Sequence, residues 1–576
     1  MSALRPPGLG PIIGHTTHDS CRLWIQAARL DESAAMSSIE ANRRTVGVIG
    51  LLSDDRLTVE HAYYFRLHRK FDRTGTFVMG VDVALGRHEK DLLPGEQPDT
   101  PPKLAPNTCY TVRMATLSID DPLPDEEDIT DRQLVAHLPN IDNIKPMLIA
   151  MRKEDRDKCE VTFKTFPAAT NGSADRLSFL LGSCRYPGLL WKIKEADGIF
   201  APMQAELIPL NDPASASFTL MMGDQIYADT LHRLVPIGLA DTYEEFQERY
   251  QTAFGSINMR NLLRSAPTYM ILDDHEIEDN WTQDRLHKDA KHQLFNLAIG
   301  AYMSYQWSHG PRSYDGQLYY RFECAGYPYF VLDTRTQRYK DDNVGLEDNH
   351  LLGRPAIDDA HPGQLQRFLD WLSAPYEGAK PNVPKFVVSS SVFAPNSMDE
   401  RVSGPVEPGK DPAFWANLGR REDSDSWPAY PNTRKAIVEH IAKNKIQNVI
   451  FLTGDIHCSN IARLVFKEND QELGIRAFDI TSSAFYWPFW FADGDPNGFV
   501  HNSAAESQYD PFPYSGGVMD YWSWAFTQED NYARIDIDKA NHQLVVRYFD
   551  REGKSITVLN AEGVKVTENN LTLAPW

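Results

Sequence analysis

Six nearly continuous apolar runs between residues 177 and 455 each end in polar side chains, and this pattern constrains the fold most. The runs are LSFLLGSC (177–184), SFTLMMGD (217–224), TYMILDDH (268–275), YFVLDTR (329–335), KFVVSSS (385–391) and NVIFLTGD (448–455). A continuous run, unlike an alternating one, is typical of a strand that is covered on both faces. Ligands of such sheets bind beyond the carboxyl ends of the strands, so the terminal Asp, His and Cys side chains predict a site there.

Helical patterns lie between these runs. Residues 364–372 place apolar side chains at positions 365, 368, 369 and 372, and residues 435–444 carry a similar apolar face. The alternation of strands and helices predicts an α/β domain. Residues 533–563 return to an alternating β pattern. We expect them to complete this domain, which we assign to residues 175–576.

The first 168 residues have a different character. Short segments rich in β-branched and aromatic residues are separated by Pro, Gly, Asn and Asp; they are 21–28, 58–68, 75–85, 109–117 and 159–166. They predict a small antiparallel β-sandwich of fibronectin-III type over residues 1–168. Residues 167–174 (PAATNGSA) have the composition of a linker.

Composition excludes several classes of protein. The 576-residue chain is 42% hydrophobic and 24% charged, as in ordinary globular proteins. Its formal net charge of −22 argues against a stable nucleic-acid partner, which needs Lys and Arg to neutralise phosphates. No run approaches the ~18 apolar residues of a membrane span. The N-terminal residues lack a secretory signal, which predicts a cytoplasmic protein, although a processed secreted chain fits equally well.

Four of the polar segments carry residues that suit a metal site. They are residues 182–185 (GSCR), 223–229 (GDQIYAD), 273–281 (DDHEIEDNW) and 454–458 (GDIHC). An isolated strand-end Asp is more often a helix cap or a turn residue, but adjacent carboxylates repel unless a cation or a proton neutralises them. Asp224 follows a glycine and is placed to bridge two cations. Carboxylate, imidazole, thiolate and phenolate together suit trivalent iron beside Ca²⁺ or Mg²⁺.

These segments resemble the alkaline phosphatase D (PhoD-like) family of metallophosphatases, and the resemblance runs through most of the chain. Further matching segments include LDTR at 332–335, residues 364–372 and TSS at 481–483. The resemblance implies an α/β fold with a metallophosphatase-like αββα sandwich and an N-terminal fibronectin-III-like antiparallel β-sandwich. The sequence lacks the DxH of other metallophosphoesterases, and this departure implies the iron and calcium of the PhoD-like branch.

The resemblance also implies a set of site residues. Fe³⁺ would be held by Cys184, Asp224, Tyr227 and Asp455. Ca²⁺, or another divalent ion in its place, would draw on Asp274 or Asn280, with His457 close by. His275 would contact the phosphate or protonate the leaving oxygen, with Asp273 or Glu276 as its partner. Arg185, Arg335 or Arg338 would bind phosphate oxygens, although an ordinary salt bridge is an equally good interpretation of each.

The expected function is metal-dependent hydrolysis of a small phosphate ester, a monoester, a diester or both. A metal-bound hydroxide or oxide at a binuclear or trinuclear site would attack phosphorus. Residues 340–354, 399–427 and the aromatic stretch 485–491 are candidate walls of the site, and for the aromatic stretch a core position is the alternative. The alternative function is a catalytically idle phosphatase-like body that carries a β-sandwich binding module.

Overall fold

The computed structural model describes residues 3–28, 44–80, 102–119, 131–169, 172–187, 193–229, 239–313, 316–340, 348–356, 362–374, 382–396, 427–489, 502–503 and 512–576. Parts of the predicted linker and of the three candidate walls lie outside these residues, namely 170–171, 341–347, 399–426 and 490–491.

The N-terminal strands form two antiparallel sheets. They are β1 (Leu9–Thr16), β2 (Ser20–Gln26), β3 (Thr45–Leu52), β4 (Val59–Arg66), β5 (Thr74–Gly80), β6 (Cys109–Ser118) and β7 (Glu160–Lys164). Within the described residues, the sheets have the orders β1-β2-β5 and β4-β3-β6-β7. Leu23 and Phe77 of the first sheet share one core with Phe65 and Phe163 of the second. The structure thus contains the expected antiparallel sandwich, whereas its fibronectin-III type stays a prediction.

Among the described residues between β6 and β7 lie three helices that the sequence analysis did not predict. They are α1 (Asp131–Val135), α2 (Ile141–Ala150) and α3 (Lys153–Cys159). The side chain of Asn140 accepts a hydrogen bond from the amide of Asp142 and so caps α2. Ile144 and Leu148 of this helix pack against the second sheet, which covers that face of the sandwich.

The remaining strands build two larger sheets and one separate pair of short strands, Val558–Leu559 with Lys565–Val566. They are β8 (Arg176–Gly182), β9 (Thr219–Met221), β10 (Thr268–Met270), β11 (Tyr320–Cys324), β12 (Tyr327–Val331), β13 (Lys385–Ser389), β14 (Val449–Thr453), β15 (Ser459–Glu468), β16 (Gln471–Glu472), β17 (Ala477–Thr481), β18 (Phe512–Tyr514), β19 (Gly517–Thr527), β20 (Tyr532–Asp538), β21 (Gln543–Phe549), β22 (Val558–Leu559), β23 (Lys565–Val566) and β24 (Asn569–Thr572). Among described residues, one sheet has the order β10-β9-β8-β20-β21-β24. The other has the order β11-β12-β13-β14-β17-β15-β19-β18, with β16 beside β15.

All six apolar runs form strands in these sheets. Strands β8, β9 and β10 are parallel, as are β12, β13, β14 and β17. The carboxyl ends of each parallel set therefore lie at one edge of its sheet, where the polar tails follow. The strands β20 and β21 complete the first sheet, as the pattern of residues 533–563 predicted.

Helices cover the outer face of each sheet. They are α4 (Ile193–Gly198), α5 (Phe200–Leu207), α6 (Tyr243–Gly255), α7 (Ile257–Leu263), α8 (Asp289–Tyr305), α9 (Gln364–Ser373) and α10 (Pro431–Lys443). The predicted helices correspond to α9 and α10, and α10 begins earlier because Pro431 suits its first turn. The sheets share one core, while α5–α8 pack on the first sheet and α9 and α10 on the second. The layers therefore run helix, sheet, sheet, helix in this mixed α/β fold.

The N-terminal sandwich shares a core with the helical layer. Leu9, Ile12 and Trp24 belong to the same apolar cluster as helices α5–α8. The indole nitrogen of Trp24 donates to the carbonyl of Ser304 at 2.9 Å. The division into domains at residues 168 and 175 stays a prediction. No helix in the described segments combines the length and apolar character that crossing a bilayer requires.

Candidate metal centre and active site

Four strand-end loops meet at the carboxyl edges of the two sheets. They follow β8, β9, β10 and β14 and carry the four polar segments that the sequence singled out. Cys184, Asp224 and Asp455 have φ angles of 57°, 57° and 75°. Residues other than glycine rarely adopt this left-handed backbone conformation, and each instance costs about 1–3 kcal/mol unless its surroundings stabilise it. The backbone is therefore strained at the positions whose side chains converge.

Gly223 allows two of these loops to touch. Its φ is +107°, and a Cβ at this position would lie 2.4 Å from the Cβ of Asp273. Only glycine combines this backbone conformation with so close an approach. The loop after β9 therefore packs directly on the loop after β10, which brings Asp224 to Asp274.

Within the described residues, the potential ligand atoms form three overlapping groups, each with its atoms within 4.8 Å of one another. The groups are Cys184, Asp224 and His457; Asp224, Asp274 and His275; and Asp273, Asp274 and Asp455. Asp224 belongs to the first two groups, which is the arrangement that a bridging carboxylate requires. Asp274 links the second group to the third in the same way.

The first group contains two of the residues expected to hold iron, Cys184 and Asp224. The Tyr227 hydroxyl donates to Asp224 Oδ2 at 3.2 Å and lies 3.4 Å from His457 Nε2. The Cys184 thiol lies 3.5 Å from the backbone carbonyl of Asp455, whose carboxylate belongs to the third group. Three of the four expected iron ligands therefore lie together beside His457, and ligation by the Asp455 carboxylate stays a prediction.

The electrostatics of this group fit a cation. Burial raises the pKa of Cys184, of Asp224 and of Tyr227, and nearby carboxylates raise those of Cys184 and Tyr227 further. Among the described residues, Asp224 Oδ1 is buried without a hydrogen-bond partner. A bound cation would supply the missing partner and reverse the pKa shifts, because it favours the ionised forms. The donor set therefore fits a metal.

Asp274 lies at the centre of the second group. Its Oδ2 accepts the amide of Asn280 at 2.6 Å, and Oδ1 has no hydrogen-bond partner within the described segments. Burial alone would raise the pKa of Asp274, but Arg335, His275 and the Asn280 amide together hold it below its usual range. Asn280 contributes its backbone, while its side chain is exposed. Metal binding through the Asn280 amide oxygen stays a prediction.

His275 pairs with a residue that the sequence analysis did not choose. Its Nδ1 lies 2.7 Å from Asp229 Oδ1, whose second oxygen accepts the amide of Asp279 at 2.6 Å. Burial lowers the pKa of His275, but Asp229, Asp274 and Asp224 outweigh burial and raise it well above its ordinary value. The expectation that Asp273 or Glu276 pairs with His275 is wrong, because other groups engage both carboxylates.

Glu276 joins the loops after β9 and β10. Its Oε2 accepts the amides of Asp224 at 3.0 Å and Asp273 at 2.7 Å, and its Oε1 accepts the amide of Gln225 at 2.8 Å. Burial raises the pKa of Glu276 to about 7, against the effect of these hydrogen bonds. One carboxylate therefore satisfies three backbone N–H groups beside the candidate ligands.

Two of the expected phosphate-binding arginines are buried against other groups. Arg185 donates to the Ser256 hydroxyl at 2.9 Å and lies 3.9 Å from Asp197, so it faces the helical layer. Arg338 donates to the Ser391 hydroxyl at 2.6 Å. Burial lowers the pKa of Arg185 to about 10. The structure does not bring Arg185 to the ligand groups, and its role in phosphate binding stays a prediction.

Arg335 does reach the cluster. Its Nε donates to Asp273, and its NH2 lies 3.6 Å from Asp274 and 3.3 Å from Asp455. The side chain is fully buried. Contact with a phosphate therefore requires that the guanidinium leave these carboxylates, and this role too stays a prediction.

In the aromatic stretch 485–491, some side chains lie in the core and others lie at the candidate site. Phe485 and Tyr486 are buried, as the core interpretation expects. Trp487 is half-buried and stacks on His457, with ring centroids 3.6 Å apart and an interplanar angle of 10°. Phe489 and Tyr186 meet its edge. Trp487 thus orients a candidate ligand, which favours a wall of the site at this position.

Sequence reasoning missed three residues that organise the site. Asp229 lay inside a segment already singled out, and its place in that segment was the available signal. Ser483, in the TSS segment, accepts the amide of His457 at 3.1 Å. Ser183 accepts the amide of Asp455 at 3.3 Å, inside the GSC segment. Nothing in the sequence distinguishes these hydroxyls from other buried serines.

Known proteins resemble this chain in both sequence and fold. A family model described as PhoD-like phosphatase matches residues 197–542. Alkaline phosphatase D of Bacillus subtilis (strain 168) is 24% identical over 229 residues, which are 38% of this chain and 36% of that protein. The match thus spans about a third of that relative's length. A solved structure described as "Structure of PhoD" has a TM-score of 0.59 at 16% identity and covers 99% of this chain and 93% of its own. That likeness shows a shared fold.

Proposed function

The chain belongs to the PhoD-like phosphatase family, and from that membership we propose that it hydrolyses phosphate esters in a metal-dependent reaction. The observation that carries the proposal is Asp224, a buried carboxylate that belongs to two overlapping groups of ligand atoms. Monoesters, diesters or both are the proposed substrates. The site lies where four loops converge, as ligand sites of parallel sheets do.

We assign the ligands residue by residue. Cys184, Asp224, Tyr227 and Asp455 would hold Fe³⁺. Asp224, Asp274, Asn280 and His457 would serve the divalent ion, with Ca²⁺ as the first choice because its ligands are mainly oxygen. When bound, the cations supply Lewis acidity, activate water and offset negative charge on the phosphoryl group.

His275 is the proposed general acid. Its ring is partly exposed, with 19% of the side chain accessible, so it can reach a substrate. Asp229 fixes the ring through Nδ1, which leaves Nε2 to carry the proton that the leaving oxygen takes. The stacked ring of Tyr227, 4.2 Å away between centroids, limits its rotation. The Asp229 carboxylate raises the pKa of His275 and so favours the protonated ring that a general acid requires.

The N-terminal part has a proposed supporting role. We propose a fibronectin-III-like sandwich over residues 1–168 and a catalytic domain over residues 175–576. The order of the three-stranded and four-stranded sheets supports the sandwich type. Because Trp24 packs among the helices that cover the first sheet, the sandwich supports that layer rather than acting as a separate binding module.

A substrate panel tests the proposal. Protein loaded with iron and calcium should hydrolyse p-nitrophenyl phosphate, its bis-ester, or both, and an Asp224→Asn variant should lose this activity. If both esters stay intact across alkaline pH while elemental analysis finds the metals bound, the hydrolase proposal fails. That result would favour the catalytically idle alternative.

A further inference from the structure

Arg335 follows β12 at the edge of the second sheet and meets three carboxylates from two other loops. Asp273 and Asp274 follow β10 of the first sheet, and Asp455 follows β14 of the second. The guanidinium pairs with Asp273 through Nε and lies within 3.6 Å of the other two through NH2. One buried cation therefore joins the active-site edges of the two sheets.

The same three carboxylates form the third group of potential ligand atoms. Carboxylates this close cannot all stay ionised in a buried space unless a positive charge lies among them. Arg335 supplies that charge, and its planar fork suits several carboxylates at once. The third group therefore has a counter-charge from the chain itself.

Arg338 provides a comparison on the same loop. It is buried as completely as Arg335, and it donates to the carbonyl of Thr334 at 2.7 Å and to the hydroxyl of Ser391 at 2.6 Å. The charge of Arg338 also lowers the pKa of Asp273 and of Asp274, but less than the charge of Arg335 does. Both arginines are buried, and among the described contacts those with Asp273, Asp274 and Asp455 belong to Arg335.

We propose that Arg335 is a built-in counter-ion that occupies the group formed by Asp273, Asp274 and Asp455. It acts as a positioning residue that holds Asp274 and Asp455 in place before a metal binds, and it does not contact the phosphate. Of the three groups found among the described residues, two are then left for cations. The inference rests on the proposed function, which makes Asp274 and Asp455 ligands.

Stability of chelator-treated protein tests this proposal. In Arg335→Met, the three carboxylates lose their counter-charge, and the thermal midpoint should fall by at least about 5 °C, the cost of a buried unpaired charge. Added Ca²⁺ or Mg²⁺ should restore more of the midpoint in this variant than it adds to the wild type, because the cation takes the place of the guanidinium. Arg335→Lys keeps the charge and should show a smaller fall and no extra cation effect.

Arg338→Met is the matched control. It removes an equally buried arginine whose charge affects Asp273 and Asp274 less, so its midpoint should fall with a smaller recovery in Ca²⁺ or Mg²⁺ than that of Arg335→Met. Elemental analysis should find one more bound cation in Arg335→Met than in the wild type.

Several outcomes would overturn the proposal. One is a deficit in Arg335→Met that no cation concentration reduces, including failure to fold at every concentration. Another is an unchanged midpoint together with a raised KM for p-nitrophenyl phosphate, which would assign Arg335 to phosphate binding. An equal number of bound cations in Arg335→Met and in the wild type would also refute it. The stability assay uses no substrate. A wild type without phosphatase activity would therefore refute the proposed function, while the thermal midpoints of the variants could still be interpreted.

Discussion

Replacement of Glu276 tests whether one buried carboxylate fixes the geometry of the metal centre. In Glu276→Ala, the amides of Asp224, Gln225 and Asp273 lose their acceptor while they stay buried. An unsatisfied buried N–H group costs about 1–3 kcal/mol. We therefore expect the free energy of unfolding to fall by about 3–6 kcal/mol. This is the lower half of the range that three such groups give together, because water can enter the vacated space.

Glu276→Gln should cost about half as much. The side chain keeps one oxygen, which can still accept the amides of Asp224 and Asp273. Its new amide group would face Nε2 of Gln306, which donates to Glu276 Oε1 at 3.2 Å, so it gains an acceptor only if the Gln306 amide turns to present its oxygen. One amide, that of Gln225, is then left without an acceptor. We expect a loss of about 2–3 kcal/mol, from that amide and from the missing charge.

Both variants should also bind Ca²⁺ about 10–100-fold more weakly, since groups that orient metal ligands have effects of this size. Urea unfolding in chelator measures the stability, and calorimetric titration with Ca²⁺ measures the affinity. Asp479→Asn is the control. Asp479 is also fully buried and accepts two amides, those of Phe393 at 3.1 Å and Ala394 at 2.8 Å, but it belongs to none of the ligand groups.

Two results would refute the reasoning about Glu276. If Glu276→Gln binds Ca²⁺ as tightly as the wild type and the Asp479→Asn control do, Glu276 does not position the ligands. If Glu276→Ala is no less stable than Glu276→Gln, the three backbone hydrogen bonds do not carry the stability assigned to them.

Three further predictions concern other residues. Gly223→Ala should destabilise the fold by about 2–4 kcal/mol in urea unfolding, because strain at positive φ adds to the clash with Asp273. Gly563→Ala, at φ +75° with open space, should cost only about 1 kcal/mol, and equal losses would disprove the clash. Iron-loaded protein should show a visible ferric–phenolate band that Tyr227→Phe abolishes while Ca²⁺ binding persists; a colourless but active wild type would remove Tyr227 from the ligand set. Burial raises the pKa of Asp479 to about 7, so the folded state keeps a proton that the unfolded state releases near pH 4. Stability should therefore fall as pH rises from about 4 to 7, by at most about 1.4 kcal/mol per pH unit, and Asp479→Asn should lose this slope in urea unfolding at pH 5, 6 and 7; an unchanged slope would contradict the assignment.

Periodicity and strand-end chemistry were sufficient to predict the sheets and the meeting of the ligands. A continuous apolar run specifies a strand covered on both faces, and parallel strands place their ends together. For that reason Cys184, Asp224 and Asp455 were predictable as neighbours although the chain separates them widely. The strands β20 and β21 were predictable for a similar reason, since alternation and turn residues mark them.

Contacts that depend on turn geometry were not predictable. Asp229 contacts His275, and Glu276 accepts hydrogen bonds from three backbone amides, because of the directions in which the loops turn. No periodic pattern in the sequence encodes these directions. The same holds for Arg335, whose burial among carboxylates depends on how two sheets pack. Helix α2 was missed because its ten residues lie between strands and carry a proline, Pro146, inside the helix.

The packing of Trp24 has a consequence for synthesis of the chain. Its hydrogen-bond partner, Ser304, lies 280 residues later in the sequence. At about 5–20 residues per second, a ribosome needs roughly 15–60 s to make that intervening stretch. During this time the apolar face formed by Leu9, Ile12 and Trp24 has none of its helical partners. The nascent sandwich therefore exposes an apolar surface that is prone to aggregation. We expect a holdase chaperone to bind this surface until helix α8 leaves the exit tunnel.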